Sequence, residues 1–198
     1  MVSLLLGMEL MGVALYAMIA FPEKGLLPLE AAIKYLVLSA CASVILLFGF
    51  ALLYAATGQL SYVGLGEQAT IAYLSNPLLV MAGTAMVISG FAFKLSVVPF
   101  HMWTPDVYQG APTPVTGFLA TVSKGAVFIT LTRLYMDAQL YQYPHLITAL
   151  SIVAIASMLI GNLLALRQED IKRLLAYSSI AHFGYLLVVL ITLTGSGM

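Results

Sequence analysis

Long apolar stretches alternate with short polar segments along the whole chain. A membrane-spanning helix needs about 20 predominantly apolar residues. Stretches of that kind predict spans at 1–21, 29–56, 78–98, 114–136, 146–166 and 171–193. The polar segments that separate them lie at 22–28, 57–68, 137–145 and 167–170. This pattern predicts an all-α integral membrane protein, a single transmembrane domain over 1–198 with about six membrane-spanning helices.

The composition supports the same fold class. Hydrophobic residues make up 62% of the chain and charged residues 8%, whereas soluble domains carry about 25% charged residues. The mean hydropathy is +1.02, and the formal net charge is zero. A neutral chain gives no reason to expect a nucleic-acid partner, so the expected surrounding is the lipid bilayer.

Lysine and arginine are unevenly distributed between the loops on the two sides of the predicted bundle. One set of loops carries Lys24, Arg167, Lys172 and Arg173, and the other carries Arg133. Because cytoplasmic loops are enriched in these residues, we expect the first set in the cytoplasm and the chain in a cell inner (cytoplasmic) membrane. Both ends of the sequence are abrupt for a membrane protein, so we expect a fragment of a longer chain.

The segment 78–110 is too long for one straight span. As a single helix it would measure about 50 Å, against a hydrocarbon core of about 30 Å. Pro99 removes a backbone hydrogen bond and disfavours helical geometry at Val98. Either the helix is broken at membrane depth, as at ion sites in transporters, or it ends at Val98 and an interfacial loop follows. The spacing alone leaves both alternatives open.

Local helix signals follow this proline. The motif TPD at 104–106 combines an N-cap residue, a proline suited to the first helical position and an acid that complements the helix dipole. Gly110 is a typical helix stop. We therefore predict a half-helix over 105–109, with Pro99 and Pro105 marking the break.

Five ionisable side chains lie inside the predicted spans or at the break, namely Glu9, Lys34, Lys94, His101 and Lys124. Lys124 is near the middle of its span, where a charge costs about 2.5–3.5 kcal/mol and is too deep to snorkel. This position indicates a functional site, with a purely structural ion pair as the alternative. Glu9 is also deep and can offset a lysine on a neighbouring helix. Lys34 follows Glu30 at i,i+4, so a solvated helix-end pair is equally consistent with its position.

Buried lysines of this kind suggest proton transfer. Burial favours the neutral form of a lysine, whereas a nearby carboxylate favours the charged form. A lysine balanced between the two can exchange a proton, and several such lysines linked by water would form a relay. A charge on one of them raises the cost of a charge on the next, which could pass an electrostatic signal across the bundle.

The sequence gives no sign of a bound cofactor. It contains no cysteine pair, no two histidines at helical spacing for a metal, and no phosphate-binding, nucleotide or haem motif. We therefore expect neither a metal nor a redox centre in this chain.

Two long blocks resemble one known family. FKLSVVPFHMWTPDVYQGAPTPVTGFLATVSKGAVF at 93–128 and GNLLALRQEDIKRLLAYSSIAHFGYLLV at 161–188 look like the antiporter-like proton-translocating subunits of respiratory complex I, the NADH:quinone oxidoreductase. The segments EAAIKYLVLSACAS at 30–43 and GMEL at 7–10 favour the N type of these subunits. Cation/proton antiporter complexes and membrane hydrogenases have similar WTPD and PTPV segments but match the first two spans less well.

The resemblance implies an antiporter-like bundle with a discontinuous helix and a role for each buried charge. By position, Glu9 and Lys94 would form a buried ion pair, Lys34 would modulate it, Lys124 would be the central relay lysine, and His101 would be a conducting or bridging residue. The family also has a second, inverted half, which this sequence does not contain. The resemblance further implies that NADH, FMN, iron–sulfur clusters and quinone are bound elsewhere in the complex.

Three functions are therefore compatible with the sequence. The first is a proton-translocating subunit of NADH:quinone oxidoreductase, partnered by other membrane subunits of that complex, including neighbouring antiporter-like subunits. The second is a subunit of a cation/proton antiporter complex or a membrane hydrogenase. The third is a membrane-embedded scaffold whose charges are only structural.

Overall fold

The computed structural model describes residues 1–21 and 26–193, without the side chain of Thr70. Its α-helices are α1 (Val2–Ala20), α2 (Leu27–Thr57), α3 (Tyr62–Ser75), α4 (Pro77–Leu95), α5 (Trp103–Gly110), α6 (Thr113–Phe118), α7 (Lys124–Asp137), α8 (Pro144–Ala165) and α9 (Ile171–Thr192). A π-helical turn, Leu119–Ser123, joins α6 to α7, and a 3₁₀ turn, Leu140–Gln142, precedes α8. The described ranges contain no β-strand, and the predicted all-α fold is confirmed.

Six helical segments of the described chain are long and apolar enough to cross a membrane. They are α1, α2, α4, the α6–α7 unit, α8 and α9. Their outer surfaces expose large apolar side chains such as Leu10, Phe48 and Ile152, which lipid tails solvate better than water does. The protein is therefore a multi-pass membrane protein, as predicted.

The helix α3 lies where the sequence predicts a polar break. Only residues 58–61 are non-helical between α2 and α3, not the whole of 57–68. Gly58 ends α2 with a φ of 68°, and the Ser61 hydroxyl caps α3 by accepting a hydrogen bond from the Gly64 N–H at 3.1 Å. Because α3 has 14 residues and is only about 21 Å long, it is too short to span a bilayer.

The helix α4 ends inside the protein, at Leu95 rather than at Val98 as predicted. Ser96 adopts the left-handed conformation with a φ of 62°, and the N–H groups of Ser96 and Val97 donate back to carbonyls of the last turn at 2.9 and 3.0 Å. This is the Schellman pattern of helix termination. Leu95, Ser96 and Val97 are at most 1% exposed, so the helix ends among protein side chains.

The helix α5 begins earlier than predicted, at Trp103 rather than at Pro105. The Thr104 N–H donates to the His101 carbonyl at 3.1 Å, so the turn after α4 continues directly into the helix. Thr104 is therefore not the cap that the TPD motif predicts. Its hydroxyl is buried and has no hydrogen-bond partner among the described residues. The helix ends at Gly110, as predicted.

Side-chain contacts near the helix ends distinguish the two ends of the bundle. At one end, the Tyr73 ring of α3 lies 6.2 Å from the Tyr143 ring that precedes α8. At the other end, Lys34 near the start of α2 and Arg173 near the start of α9 both pair with Asp106 of α5. This second end carries two of the helix ends that the sequence predicts to be cytoplasmic. The predicted contribution of Lys24 to this side lies outside the described residues.

Candidate proton-transfer site

Lys124 is completely buried, with 0% exposure, and stands at the first position of α7. Its Nζ donates a hydrogen bond to Ser179 Oγ of α9 at 2.8 Å. No carboxylate in the described part of the chain lies within 4.0 Å of this nitrogen. The structural ion pair that the sequence left open as an alternative is therefore not formed by these residues.

Three aromatic rings surround the same nitrogen, and we call them the aromatic box. Their centroids lie 5.8 Å away for Trp103, 5.2 Å for Tyr108 and 5.5 Å for Phe183. Ring faces attract a cation but carry no net charge, so they stabilise the ammonium without neutralising it. A lysine in this environment can lose its proton without leaving a buried carboxylate unpaired.

Trp103 of the aromatic box is held firmly by its neighbours. Its ring stacks on Phe93 of α4 with a centroid distance of 5.4 Å and an interplanar angle of 22°, and it lies 5.1 Å from the ring of Tyr35 of α2. Its Nε1 donates to the Phe93 carbonyl at 3.3 Å. The tryptophan therefore links the broken helix, α2 and the buried lysine.

The π-helical turn Leu119–Ser123 directly precedes Lys124. Such a turn inserts an extra residue into the helix and rotates the side chains that follow, and π turns are frequent at functional sites. On the open side of this helix, a Cβ added at Gly117 or Gly125 would meet no atom within 4 Å. Lys124 therefore faces the bundle, whereas Gly117 and Gly125, on either side of the turn, lie on a surface that no other described residue covers.

Lys94 lies in the last turn of α4 and is 7% exposed. Its Nζ donates to Ser39 Oγ of α2 at 2.7 Å, and Ser39 is fully buried. Glu9 of α1 is near enough to act electrostatically on Lys94, yet the described residues form no ion pair between the two within 4.0 Å. The Glu9–Lys94 ion pair implied by the resemblance is therefore not formed between these side chains, and it stays a prediction.

Two tyrosines lie near Ser39 and Glu9. Tyr16 of α1 and Tyr35 of α2 pack edge to face, with ring centroids 5.3 Å apart. Glu9 Oε1 is buried and accepts no hydrogen bond from the described residues. This carboxylate oxygen is therefore open to a hydrogen-bond donor.

Lys34 pairs with two carboxylates other than that of Glu9. Its Nζ lies 2.7 Å from Glu30 Oε1 and 2.9 Å from Asp106 Oδ2, and its side chain is 40% exposed. The helix-end pair with Glu30 that the sequence suggests is therefore present. The sequence did not indicate the contact with Asp106, which ties α2 to α5.

His101 lies in the turn between α4 and α5 and is 7% exposed. Its Nδ1 is buried and has no hydrogen-bond partner among the described residues. Pro99, after a cis peptide bond, and the buried Pro105 flank it. The structure brings His101 to the break, but within the described residues it forms no hydrogen bond with either buried lysine.

The broken backbone finds a partner on α8. The Val98 N–H, which has no helical acceptor, donates to Ser157 Oγ at 2.9 Å. The same hydroxyl donates to the Val153 carbonyl at 2.6 Å, and Ser157 is fully buried. One serine therefore satisfies a backbone group that would otherwise be unpaired inside the protein.

A cleft of about 540 Å³ runs between the α6–α7 unit and α9, beside Ser179. Most of its lining is apolar, but Thr116, Thr121, Ser178 and His182 also line it. Hydroxyl groups donate and accept hydrogen bonds with water. The cleft is therefore a candidate route by which water reaches the partner of Lys124.

Sequence reasoning did not identify the serines that hold the buried lysines. Ser39 and Ser179 lie 55 residues from Lys94 and Lys124 respectively. Both fall inside segments that carry the family resemblance, at 30–43 and 161–188, but the resemblance assigned them no role. The available signal was a serine within an apolar span, which is too common to single out. In the described residues, no group of three or more His, Cys, Asp or Glu side chains could hold a metal ion.

Comparison with known proteins was made by sequence and by structure. The sequence model of the family described as NADH:quinone oxidoreductase/Mrp antiporter, TM matches residues 1–198. Over 186 residues, the chain is 51% identical to the NADH-quinone oxidoreductase subunit N of Nitrosospira multiformis. The match covers 94% of this chain and 37% of that protein, so the chain spans little more than a third of its relative.

Solved structures show the same similarity. Respiratory complex I from Thermus thermophilus with bound aureothin contains a chain that is 40% identical, with a TM-score of 0.77 over 94% of this chain and 39% of that one. A membrane-bound sulfane sulfur reductase, an archaeal respiratory complex, gives 33% identity and a TM-score of 0.80 over 94% and 38%. The Mrp complex from Dietzia sp. gives 24% identity and a TM-score of 0.85 over 95% and 35%, which shows a shared fold.

Proposed function

The chain belongs to the NADH:quinone oxidoreductase/Mrp antiporter family of membrane proteins, and from this premise we propose that it is part of a proton-translocating subunit of NADH:quinone oxidoreductase. The observation that carries the proposal is the geometry of Lys124, a fully buried lysine held by a hydroxyl and three rings. A proton carrier must be stable both with and without its proton, and this environment suits both forms. The 51% identity to a subunit N favours this complex over its antiporter relatives.

The proposed relay runs along the buried charges. Lys94 alternates between two partners, the Ser39 hydroxyl in a hydrogen bond and the Glu9 carboxylate in an ion pair. When the pair is open, the charge of Lys94 is uncompensated and opposes a charge on Lys124 through the low-dielectric interior. When the pair closes, Lys124 can be reprotonated. His101, at the break between these lysines, is the proposed bridging residue, and Lys34 modulates the relay from near the start of α2.

The chemistry of electron transfer lies elsewhere in this proposal. NADH, FMN, iron–sulfur clusters and quinone are bound by other parts of the complex, and this chain responds to the energy they release. Its partners are the other membrane subunits, including antiporter-like ones, and the lipid bilayer. The proposed location is the cell inner membrane, with the end that carries Arg167–Arg173 facing the cytoplasm.

A pumping assay on the whole complex tests the function. The complex is purified with the full-length parent subunit, reconstituted into vesicles and supplied with NADH and quinone, and proton uptake is followed with a pH-sensitive dye. Lys124→Met should abolish the proton uptake, whereas Arg133→Gln, on an exposed side chain at the opposite end, should leave it unchanged. Normal pumping by the assembled Lys124→Met complex would overturn the relay and favour the scaffold alternative.

The antiporter alternative rests on the shared fold of the Mrp complex. The same preparation separates the two functions. NADH:quinone oxidoreductase activity that co-purifies with the tagged parent subunit supports the proposal. A clean preparation that oxidises no NADH, but exchanges cations for protons across vesicles, would assign the chain to an antiporter complex.

A further inference from the structure

Asp106 is held between two cations from different helices. Its Oδ2 lies 2.9 Å from Lys34 Nζ of α2, and its Oδ1 lies 2.8 Å from an Arg173 guanidinium nitrogen of α9. Each carboxylate oxygen thus has its own partner. We call these three residues the Asp106 clamp, and it is the place where α5 is joined by charge to both neighbouring helices.

The clamp is reinforced by polar groups around it. Arg173 also donates to Gln109 Oε1 at 3.1 Å, and Gln109 Nε2 donates to Asp170 Oδ2 at 3.2 Å. Glu30 shares Lys34 with Asp106 at 2.7 Å. Acidic and basic side chains therefore alternate along the clamp, and both ion-pair partners of Asp106 are cations.

The helix α5 has two faces with different partners. Trp103, Thr104, Val107 and Tyr108 are at most 4% exposed and face the bundle. Asp106 and the neighbouring Gln109 occupy the other, partly exposed face. With eight residues, α5 is too short to be stable alone, so its position depends on contacts made by both faces.

The buried face of α5 supplies two of the three rings around Lys124. Trp103 and Tyr108 lie three residues before and two residues after Asp106 along the chain, on a helix of little more than two turns. A rigid displacement of so short a helix moves both rings together. The position of α5 therefore sets the geometry of the aromatic box.

We propose that Asp106 is a positioning residue for proton transfer, because the two ion pairs of its clamp hold α5 in the register that places Trp103 and Tyr108 over Lys124. This inference rests on the proposed relay through Lys124. It adds Asp106, which lies outside the relay, as a residue that controls the rate of the relay. Asp106 takes no proton itself. Weakening the clamp loosens α5, opens the aromatic box to water and slows proton transfer at Lys124.

The position of α5 can be measured without turnover. Thr104→Cys places a nearly isosteric thiol on the buried face of α5, where the native side chain is 0% exposed. The probe is introduced into the full complex with Cys41, which is exposed, and the other thiols of the subunit replaced. The rate of labelling by N-ethylmaleimide then reports how often α5 leaves its site.

The clamp variants are compared in this background for labelling and for NADH-driven proton uptake. Asp106→Asn should raise the labelling rate roughly tenfold and lower proton uptake by a similar factor, the size expected for losing charge-assisted hydrogen bonds. Asp106→Glu should restore both. Asp137→Asn, which breaks the Arg133 pair within α7 at the other end, should change neither.

Each other combination overturns the proposal. If the thiol stays protected in Asp106→Asn, the clamp does not position α5, whatever happens to pumping. If labelling rises while pumping stays normal, the position of α5 does not govern proton transfer. If Asp106→Asn prevents assembly, Lys34→Gln and Arg173→Gln, which each remove one cation, take its place with the same criteria. A failure of the relay itself would appear separately, as normal pumping by Lys124→Met.

Discussion

The ammonium of Lys124 donates its hydrogen bond to an uncharged group, the Ser179 hydroxyl, at 2.8 Å. A hydroxyl accepts a hydrogen bond from a charged ammonium and can donate one to a neutral amine. The contact therefore survives the loss of the proton, which a lysine–carboxylate pair does not do without leaving a buried anion. Ser179 also lines the cleft beside α9, the candidate route by which water reaches this site.

Removing this hydroxyl should slow proton transfer without abolishing it. Ser179→Ala is expected to lower NADH-driven proton uptake roughly 10- to 150-fold, because a hydrogen bond to a charged group contributes about 1.5–3 kcal/mol. The control is Ser151→Ala, whose hydroxyl donates to the Ile147 carbonyl of its own helix and lies outside the cleft, and this variant should pump normally. Equal rates for Ser179→Ala and the native complex in reconstituted vesicles would contradict the assigned partner.

The proposed Glu9–Lys94 pair makes a prediction about coupling. If Lys94 exchanges Ser39 for Glu9, the two partners act on one nitrogen, and their effects must not add. We expect the double variant Ser39→Ala with Glu9→Gln to differ from the sum of the single variants by about 0.5–3 kcal/mol. The quantity to measure is the proton-translocation rate of all four complexes. Additive effects would show that Lys94 does not alternate between these two groups.

The sequence predicts the parts of the fold that depend on local chemistry. The depth of Lys124 follows from its place in an apolar span, and the span is as long as expected. The sequence did not predict the start of α3 at Tyr62, because the polar residues of this segment are also typical of a loop. Ser61, a typical N-cap residue, was the available signal. The sequence predicts the break at Val98 and Pro99, but the helix already ends at Leu95. Ser96 gave no signal of this end, because the left-handed position after a helix is usually occupied by glycine.

The partners of the buried charges could not be predicted from the sequence. Lys34 meets Asp106 across 72 positions, and Arg173 meets it across 67. Such contacts depend on how helices pack, and local patterns carry no information about this. The same holds for the π-helical turn before Lys124, since no residue in Leu119–Ser123 requires it.

Ser157 should be important for stability, because its hydroxyl accepts the hydrogen bond of the Val98 N–H after the end of α4. Ser157→Ala leaves the Val98 N–H without an acceptor inside the protein, which is expected to cost about 1–3 kcal/mol. Ser151→Ala on the same helix is the control, because its hydroxyl only donates to the Ile147 carbonyl of its own helix at 2.8 Å. The midpoint of heat inactivation of the purified complex is the measurement. A Ser157→Ala complex as stable as the Ser151→Ala complex would show that the break is satisfied in another way.

The Asp106 clamp should depend on pH only in the acid range. Burial alone would raise the pKa of Asp106, but the hydrogen bonds from Lys34 and Arg173 outweigh it and hold the pKa below its usual value. Its contribution is therefore complete above the pKa of an unfolded aspartate, about 3.9, and is lost as the pH falls through the lower pKa of the folded protein. Because 37% of the side chain is exposed, we expect no more than about 1 kcal/mol from each pair.

The heat-inactivation midpoint of the native complex should exceed that of Asp106→Asn by a constant amount from neutral pH down to about pH 5, and the difference should shrink only below about pH 4. A difference that already fades near neutral pH would mean that another group controls the position of α5.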